Sequence, residues 1–278
     1  MKYGVTIFPT DYSMPMTELA QAVEERGFES LWVSEHSHIP LSRRSPFPDG
    51  GDLPKQYYDT LDPFVALAAA AAVTQRIRLG TGICLVVQRD PLHTAKEVSS
   101  LDQVSQGRFL FGVGAGWNEE EMENHGTRPE SRFALMRERV EAMQQVWTQS
   151  KPEYHGKHVD FDPIMTWPKP VQSPHPPIHV GGSFPGAARR AIRYGQGWIP
   201  IGAPGDRIEE TIPAFRKLAE EAEREPSSLE VSIFGAQGRQ AVVDRYRAAG
   251  ADRIVFGLPP KPADDLLPRL DALREFLD

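Results

Sequence analysis

A short apolar run, a loop and then a helical segment follow one another eight times along this chain, and few folds accommodate such an alternation. The runs fall at residues 5–8, 31–33, 79–85, 109–113, 178–180, 198–200, 231–234 and 253–256. The segments between them read as helices. TELAQAVEER stops at Gly27, where a left-handed residue is needed, and another helix opens at Asp62-Pro63, an N-cap followed by an N1 proline. From about Ser131 onward, Met136, Val140, Met143 and Trp147 repeat at helical spacing and mark one buried face. Eight parallel strands joined by right-handed crossovers close a (β/α)8 TIM barrel and bring every βα loop to one end. Periodicity does not count closure, so an open doubly wound sheet is the alternative.

Two connections are too long for simple links and read as excursions. Residues 41–60 follow the second strand and form a candidate lid. Residues 150–177 follow the fourth unit, with a hairpin at PEYHGKHVDF and seven prolines. No shift in composition divides the chain, which predicts one domain over 1–278. Hydrophobic residues make up 40% and charged residues 25%, enough to build a core. A net charge of −7 argues against nucleic acid or an anionic membrane as partner. The single cysteine, Cys84, allows no internal disulfide and suits a reducing compartment. The first residues lack the apolar stretch of a signal peptide. The longest apolar run, 64–73, is half of the roughly 20 residues that span a bilayer. A soluble, cytoplasmic protein is expected.

Chemistry concentrates where strands end. In SEHSHIP, after the second strand, His36 and His38 stand two apart and would share a face if extended. They read as a cofactor or substrate contact, as a metal pair, or as satisfied polar residues at a strand end. Further metal ligands are missing from the ends of the sixth and eighth strands, which disfavours metal. In GRFLFGVGAGWNEEE, Gly112, Gly114 and Gly116 let backbone approach a ligand, or let strand and helix pack. Glu119, Glu120 and Glu121 read as solvated carboxylates at a helix start. In IHVGGSFPGAARRAI, Gly181, Gly182 and Ser183 precede a helix and offer donors to a phosphate, or Ser183 serves as a plain N-cap. Gly82-Ile83-Cys84 interrupts the third strand, where glycine marks a bulge or a close approach. Cys84 has no basic neighbour in sequence and reads as a buried thiol rather than a nucleophile.

The segments GVTIFPTD, SLWVSEHSHI, RLGTGICLVVQRDP, TAKEVSSLDQVSQGRFLFGVGAGWNEEE and IHVGGSFPGAARRAIRYGQGW resemble the luciferase-like monooxygenase superfamily, and within it the deazaflavin (coenzyme F420)-dependent oxidoreductases. The likeness runs from Lys2 to about Gly257. It implies a TIM barrel, a homodimer, and a deazaflavin or FMN ring lying across the strand C-termini. It places Glu35 and His36 against the ring, with His36 available for proton transfer. Gly82, Ile83 and Cys84 would back the ring, the Gly82–Ile83 bond matching a non-prolyl cis peptide. Gly114, Ala115, Gly116 and Trp117, with Val180, Gly181, Gly182 and Ser183, match the loops for the ribityl and phosphate groups. Trp117 stands where some relatives carry a catalytic glutamate. The short loop after the seventh strand argues against a sugar-phosphate substrate and for an open cleft roofed by 41–60. The function implied is hydride transfer between F420 and an unidentified organic molecule. Rival readings are a monooxygenase using reduced FMN and oxygen, a flavin-binding protein without turnover, and a metal hydrolase.

Overall fold

The computed structural model describes residues 1–203 and 205–277. Its strands are β1 (Lys2–Ile7), β2 (Ser30–Val33), β3 (Arg78–Thr81), β4 (Cys84–Leu85), β5 (Phe109–Gly114), β6 (Tyr154–His155), β7 (Asp160–Phe161), β8 (Ile178–Gly181), β9 (Gly197–Ile199), β10 (Glu230–Ala236) and β11 (Arg253–Gly257). Neighbours run β3-β2-β1-β11-β10-β9-β8-β5, and β3 pairs again with β5 through Leu79↔Phe109 and Gly80↔Leu110. Every pairing in this ring is parallel, so the sheet closes into an eight-stranded barrel and the doubly wound alternative falls. The third strand is split as its glycine suggested. β3 ends at Thr81, the Gly82–Ile83 peptide bond is cis, and β4 resumes at Cys84.

The helices are α1 (Met16–Glu25), α2 (Gln56–Asp59), α3 (Pro63–Val73), α4 (Pro91–Val104), α5 (Glu119–Asn124), α6 (Arg132–Thr148), α7 (Gly186–Tyr194), α8 (Ile208–Glu221), α9 (Gln240–Ala248) and α10 (Ala263–Arg274). Local chemistry sets their starts. Asp62 accepts from the N–H groups of Phe64 and Val65 at 2.9 and 3.0 Å, and Asp90 accepts from His93 N–H at 2.8 Å, each ahead of an N1 proline. Such caps satisfy donors that a helix start otherwise leaves open. Met136, Val140, Met143 and Trp147 are all buried, and the predicted hairpin forms as antiparallel β6–β7. Among the described residues no helix is long and apolar enough to cross a membrane.

Two apolar layers result. The larger lies between sheet and helices. The smaller fills the barrel, where Trp32, Leu110, Ile199, Phe234 and Val255 pack together with Ile83 against them. Ile83 needs a notch to sit there. A Cβ on Gly114 would lie 1.7 Å from its Cδ1, and one on Gly181 would lie 2.8 Å from its Cγ2. Both distances are far inside contact range, so these two glycines exist to admit that side chain. At the opposite end, the buried Arg253 guanidinium binds Glu29 at 2.8 and 2.9 Å, Glu230 at 2.9 Å and Ser232 at 2.8 Å. That end is plugged by charge, and the C-terminal end of the strands is left to hold a site.

Candidate active site

A cavity of 390 Å³ opens at the C-terminal ends of the strands, within the range of small-molecule sites. Ile83 and Phe234, carried up from the barrel interior, meet it from below. Around it stand Thr6, Phe8, Ser34, Glu35, His36, Leu85, Gly116, Trp117, Ile201 and Leu258, and Gln56 and Tyr57 reach it from α2. The long loop 41–60 therefore does contribute a wall. Its aromatic side chains pack with those of the strand ends. Tyr57 lies 4.6 Å from Phe8, 5.3 Å from His36 and 5.2 Å from Phe47, ring centre to ring centre, and Phe47 lies 6.1 Å from Trp117.

Glu35 and His36 are consecutive, and their polar ends have different partners. The Glu35 carboxylate accepts from Arg89 Nε at 2.5 Å and from Leu85 N–H at 2.6 Å. Burial pushes its carboxyl up, against the pull of Arg89 and of the Leu85 N–H. Arg89 also binds Asp62 and Glu97. Glu35 thus lines the cavity while its charge is already met inside the protein. His36 instead places Nδ1 2.7 Å from Glu121 Oε2, and Glu121 Oε1 accepts from Ser37 N–H at 3.0 Å. Glu121 is fully buried. Burial alone would raise its pKa, yet the hydrogen bond and charge of His36 hold it below the usual carboxylate range. An ionised carboxylate only accepts, so the His36 proton sits on Nδ1 and Nε2 is the nitrogen able to take another. Tyr57, the remaining titratable lining group, is pushed up to about 12 by burial and by Asp49. His36 is therefore the one imidazole among the described lining residues, with Nδ1 held by a buried carboxylate.

Three expectations are corrected. Of Glu119, Glu120 and Glu121, only Glu119 is solvated. Glu120 is buried and accepts from Ser42 Oγ at 3.1 Å, from Ser45 N–H at 3.0 Å, and from Ser45 Oγ and Arg44 N–H. Helix α5 is short enough for its first turn to face inward, with Asn118 capping Glu121 N–H at 3.0 Å. An Asn three residues before a Glu is a capping signature, and it was the available clue. Second, His36 and His38 do not share a face. β2 ends at Val33, so alternation no longer applies, and His38 turns to Asn124 and Ser37 at 2.9 Å each. Third, Ser183 caps nothing. The N-cap of α7 is Pro185, without a side-chain bond, and Gly182 N–H is already spent on the Ile199 carbonyl at 3.2 Å.

The remaining candidate residues divide between two places and the interior. Gly82, Ile83, Gly116 and Trp117 line the main cavity. Gly182 and Ser183 line an adjoining recess of 290 Å³ that shares Ile201 with it. Cys84, Gly114, Ala115, Val180 and Gly181 lie in or against the packed interior. Burial, and then Glu35, push the Cys84 thiol well up, so it is no nucleophile. Tyr57 and Arg89 had no sequence signal. The first lies in an aperiodic loop, and the second finds its partner 54 positions away.

A closed parallel barrel with a cavity at the strand C-termini and one proton-carrying histidine defines a barrel enzyme. The chain belongs to the family described as luciferase-like monooxygenase, whose model matches residues 10–253. It is thus a luciferase-like oxidoreductase or monooxygenase. It is 38% identical over 275 residues to an uncharacterized protein of Mycobacterium tuberculosis, covering 95% of this chain and 94% of that one. It is 30% identical over 252 residues to an F420-dependent glucose-6-phosphate dehydrogenase of Nakamurella multipartita, covering 89% of this chain and 69% of that one. The solved monooxygenase RslO1 from Streptomyces bottropensis superposes with a TM-score of 0.78 at 24% identity, covering 100% of this chain and 98% of that one.

Proposed function

We propose that the protein is an F420-dependent oxidoreductase that moves a hydride between the deazaflavin and a neutral organic substrate. The observation that carries this reading is the buried Glu121–His36 pair at the wall of a mainly apolar cavity. Hydride transfer to or from a carbonyl or alkene needs a matching proton, and His36 is the described lining group able to supply or remove it. The dehydrogenase relative from Nakamurella multipartita supports the deazaflavin over FMN.

The residues present fit such a cofactor. Ile83, Phe234, Trp117 and Gly116 offer a flat apolar bed, and the exposed Ser183 hydroxyl beside Gly182, with no cap to make, is free for an anion. Bound there, the deazaflavin supplies the hydride chemistry. The protein's own part is to seat the ring on Ile83 and Trp117, exclude water beneath Tyr57 and Phe47, and present Nε2 of His36 for the proton. No lysine or arginine lines the main cavity among the described residues. A phosphorylated sugar would find no counter-charge there, in contrast to the substrate named for that relative.

Titrating the purified protein with F420 and with FMN, each followed by its own fluorescence, tests the assignment. Binding of F420 at micromolar or lower concentration, with FMN much weaker, is the expected result. The reverse order would replace this reading with the flavin monooxygenase one.

The protein is further proposed to act as a homodimer through α3 and α4. Helix α3 contains no polar or charged residue from Pro63 to Val73, although Val65 is 71% exposed. A helix that is apolar on all sides is ordinarily covered on all sides. Val65 and Ala68 of α3 share an open groove with Val104 of α4.

A further inference from the structure

Two guanidinium groups share one aromatic ring at the rim between the fourth and fifth βα units. Phe133, the second residue of α6, has Arg132 4.9 Å and Arg190 4.1 Å from its ring centre. A ring face attracts a cation, but two cations brought to one ring repel each other. Burial first, and Arg132 as a like charge, draw the Arg190 pKa down. Among the described residues the one carboxylate that approaches the pair, Glu119, meets Arg132 and leaves Arg190 without one. Among the described residues Arg190 makes no hydrogen bond or ion pair, and its buried Nε has no partner. Arg132 donates to the Pro129 carbonyl at 2.8 Å, stands 3.9 Å from the solvated Glu119 carboxylate, and leaves its own Nε unpartnered.

Two other arginines are met fully by acids. Arg89 meets three carboxylates, and Arg253 meets two with a serine. Half-buried cations without a counter-charge are unfavourable, so this pair is arranged for something outside the chain. Its place is specific. Nη1 and Nη2 of Arg190 lie 3.4 and 3.9 Å from where side chains on Gly186 and Gly182 would begin. The guanidinium therefore lies along the turn whose Gly182 and Ser183 line the recess next to the main cavity.

We propose that Arg132 and Arg190 clamp the acidic tail that a deazaflavin carries beyond its ribityl phosphate, an inference that rests on the F420 reading above. In F420 the phosphate continues as a diester into lactate and γ-linked glutamates, a series of carboxylates. FMN ends at the phosphate. Two planar, always charged forks suit successive carboxylates in a way that lysines would not. The ring between them is 44% exposed, so the clamp stays open to solvent and admits tails of any length.

The test uses four probes on the full-length protein: the deazaflavin riboside without phosphate, its phospholactate without glutamates, complete F420, and FMN. Dissociation constants are measured by fluorescence and calorimetry for the wild type, Arg132→Ala, Arg190→Ala and Arg190→Lys. Complete F420 is expected to bind about tenfold more weakly to each alanine variant, with an intermediate loss for the lysine variant. The riboside should bind all four proteins alike, and added salt should erase the advantage of the tail. Equal losses for riboside and F420 would show a disturbed ring site and overturn the clamp. Equal losses for phospholactate and F420 would show that the arginines read the diester rather than the tail, and would overturn it too. Unchanged F420 binding in the variants sinks the clamp alone, whereas preference for FMN in the wild type sinks it together with the cofactor assignment.

Discussion

Consecutive residues at the end of β2 use two buried carboxylates for different ends. Glu35 is consumed by Arg89 and the Leu85 N–H and stiffens the turn after β4. Glu121 fixes which nitrogen of His36 carries the proton. Replacing Glu121 with glutamine offers Nδ1 an amide that can either donate or accept, and the imidazole is no longer committed. Long-range nitrogen–proton NMR of the wild type should show His36 with its proton on Nδ1. Glu121→Gln should show a tautomer mixture, and turnover should fall about 10–100-fold. A single unchanged tautomer in the variant would remove Glu121 from this role. His36 was legible in the sequence because a histidine at a strand end in a barrel is placed by topology alone. Glu121 was not, since three successive glutamates look alike until a fold decides which ones turn inward.

Among the elements, α5 works as a fastener. From its six residues, Glu121 holds His36 and Glu120 holds the start of the 41–60 loop. Burial would raise the Glu120 carboxyl, but hydrogen bonds from Ser45 and Ser42 bring it down to about 2. It therefore stays an acceptor throughout the working pH range. In Glu120→Ala the amides of Arg44 and Ser45 lose their acceptor, and their hydrogen exchange should speed up by at least about tenfold while the barrel strands stay protected. Uniform acceleration would mean global destabilisation instead. The strands and long helices could be read from the chain because periodicity and caps are local. The attachment of the 41–60 loop could not, because Ser45 and Glu120 lie 75 positions apart with no pattern linking them.

At the scale of the whole molecule, two faces of the barrel carry separate consequences. The α3 face predicts that Val65→Glu shifts the protein from dimer to monomer in sedimentation velocity, with melting changed little. A wild type that sediments as a monomer would dispose of that interface. Beneath the barrel, His179 is fully enclosed beside Trp32, near Arg253, Glu230, Glu29 and Lys2, and neither ring nitrogen has a hydrogen-bond partner. Burial, with Arg253 adding to it, lowers its pKa from 6.5 to about 3. The unfolded chain thus binds a proton that the folded one refuses between those values. Stability rises with pH across that window and is lost on acidification from 6.5 toward 3, by about 1.4 kcal/mol per pH unit at most. His179→Leu should flatten the pH dependence of melting there, measured by calorimetry. Identical slopes would show that other groups set the acid response.

The seat of Ile83 has a consequence for descent. Because its side chain occupies the space that a Cβ on Gly114 or Gly181 would need, three positions far apart in the chain share one volume. A lineage can enlarge either glycine only after residue 83 has shrunk, and can restore residue 83 only while both glycines remain. Such positions look immutable when varied singly and permissive when varied together. Their history is therefore written in the order of substitutions, and the floor of the cavity changes shape in steps rather than by drift.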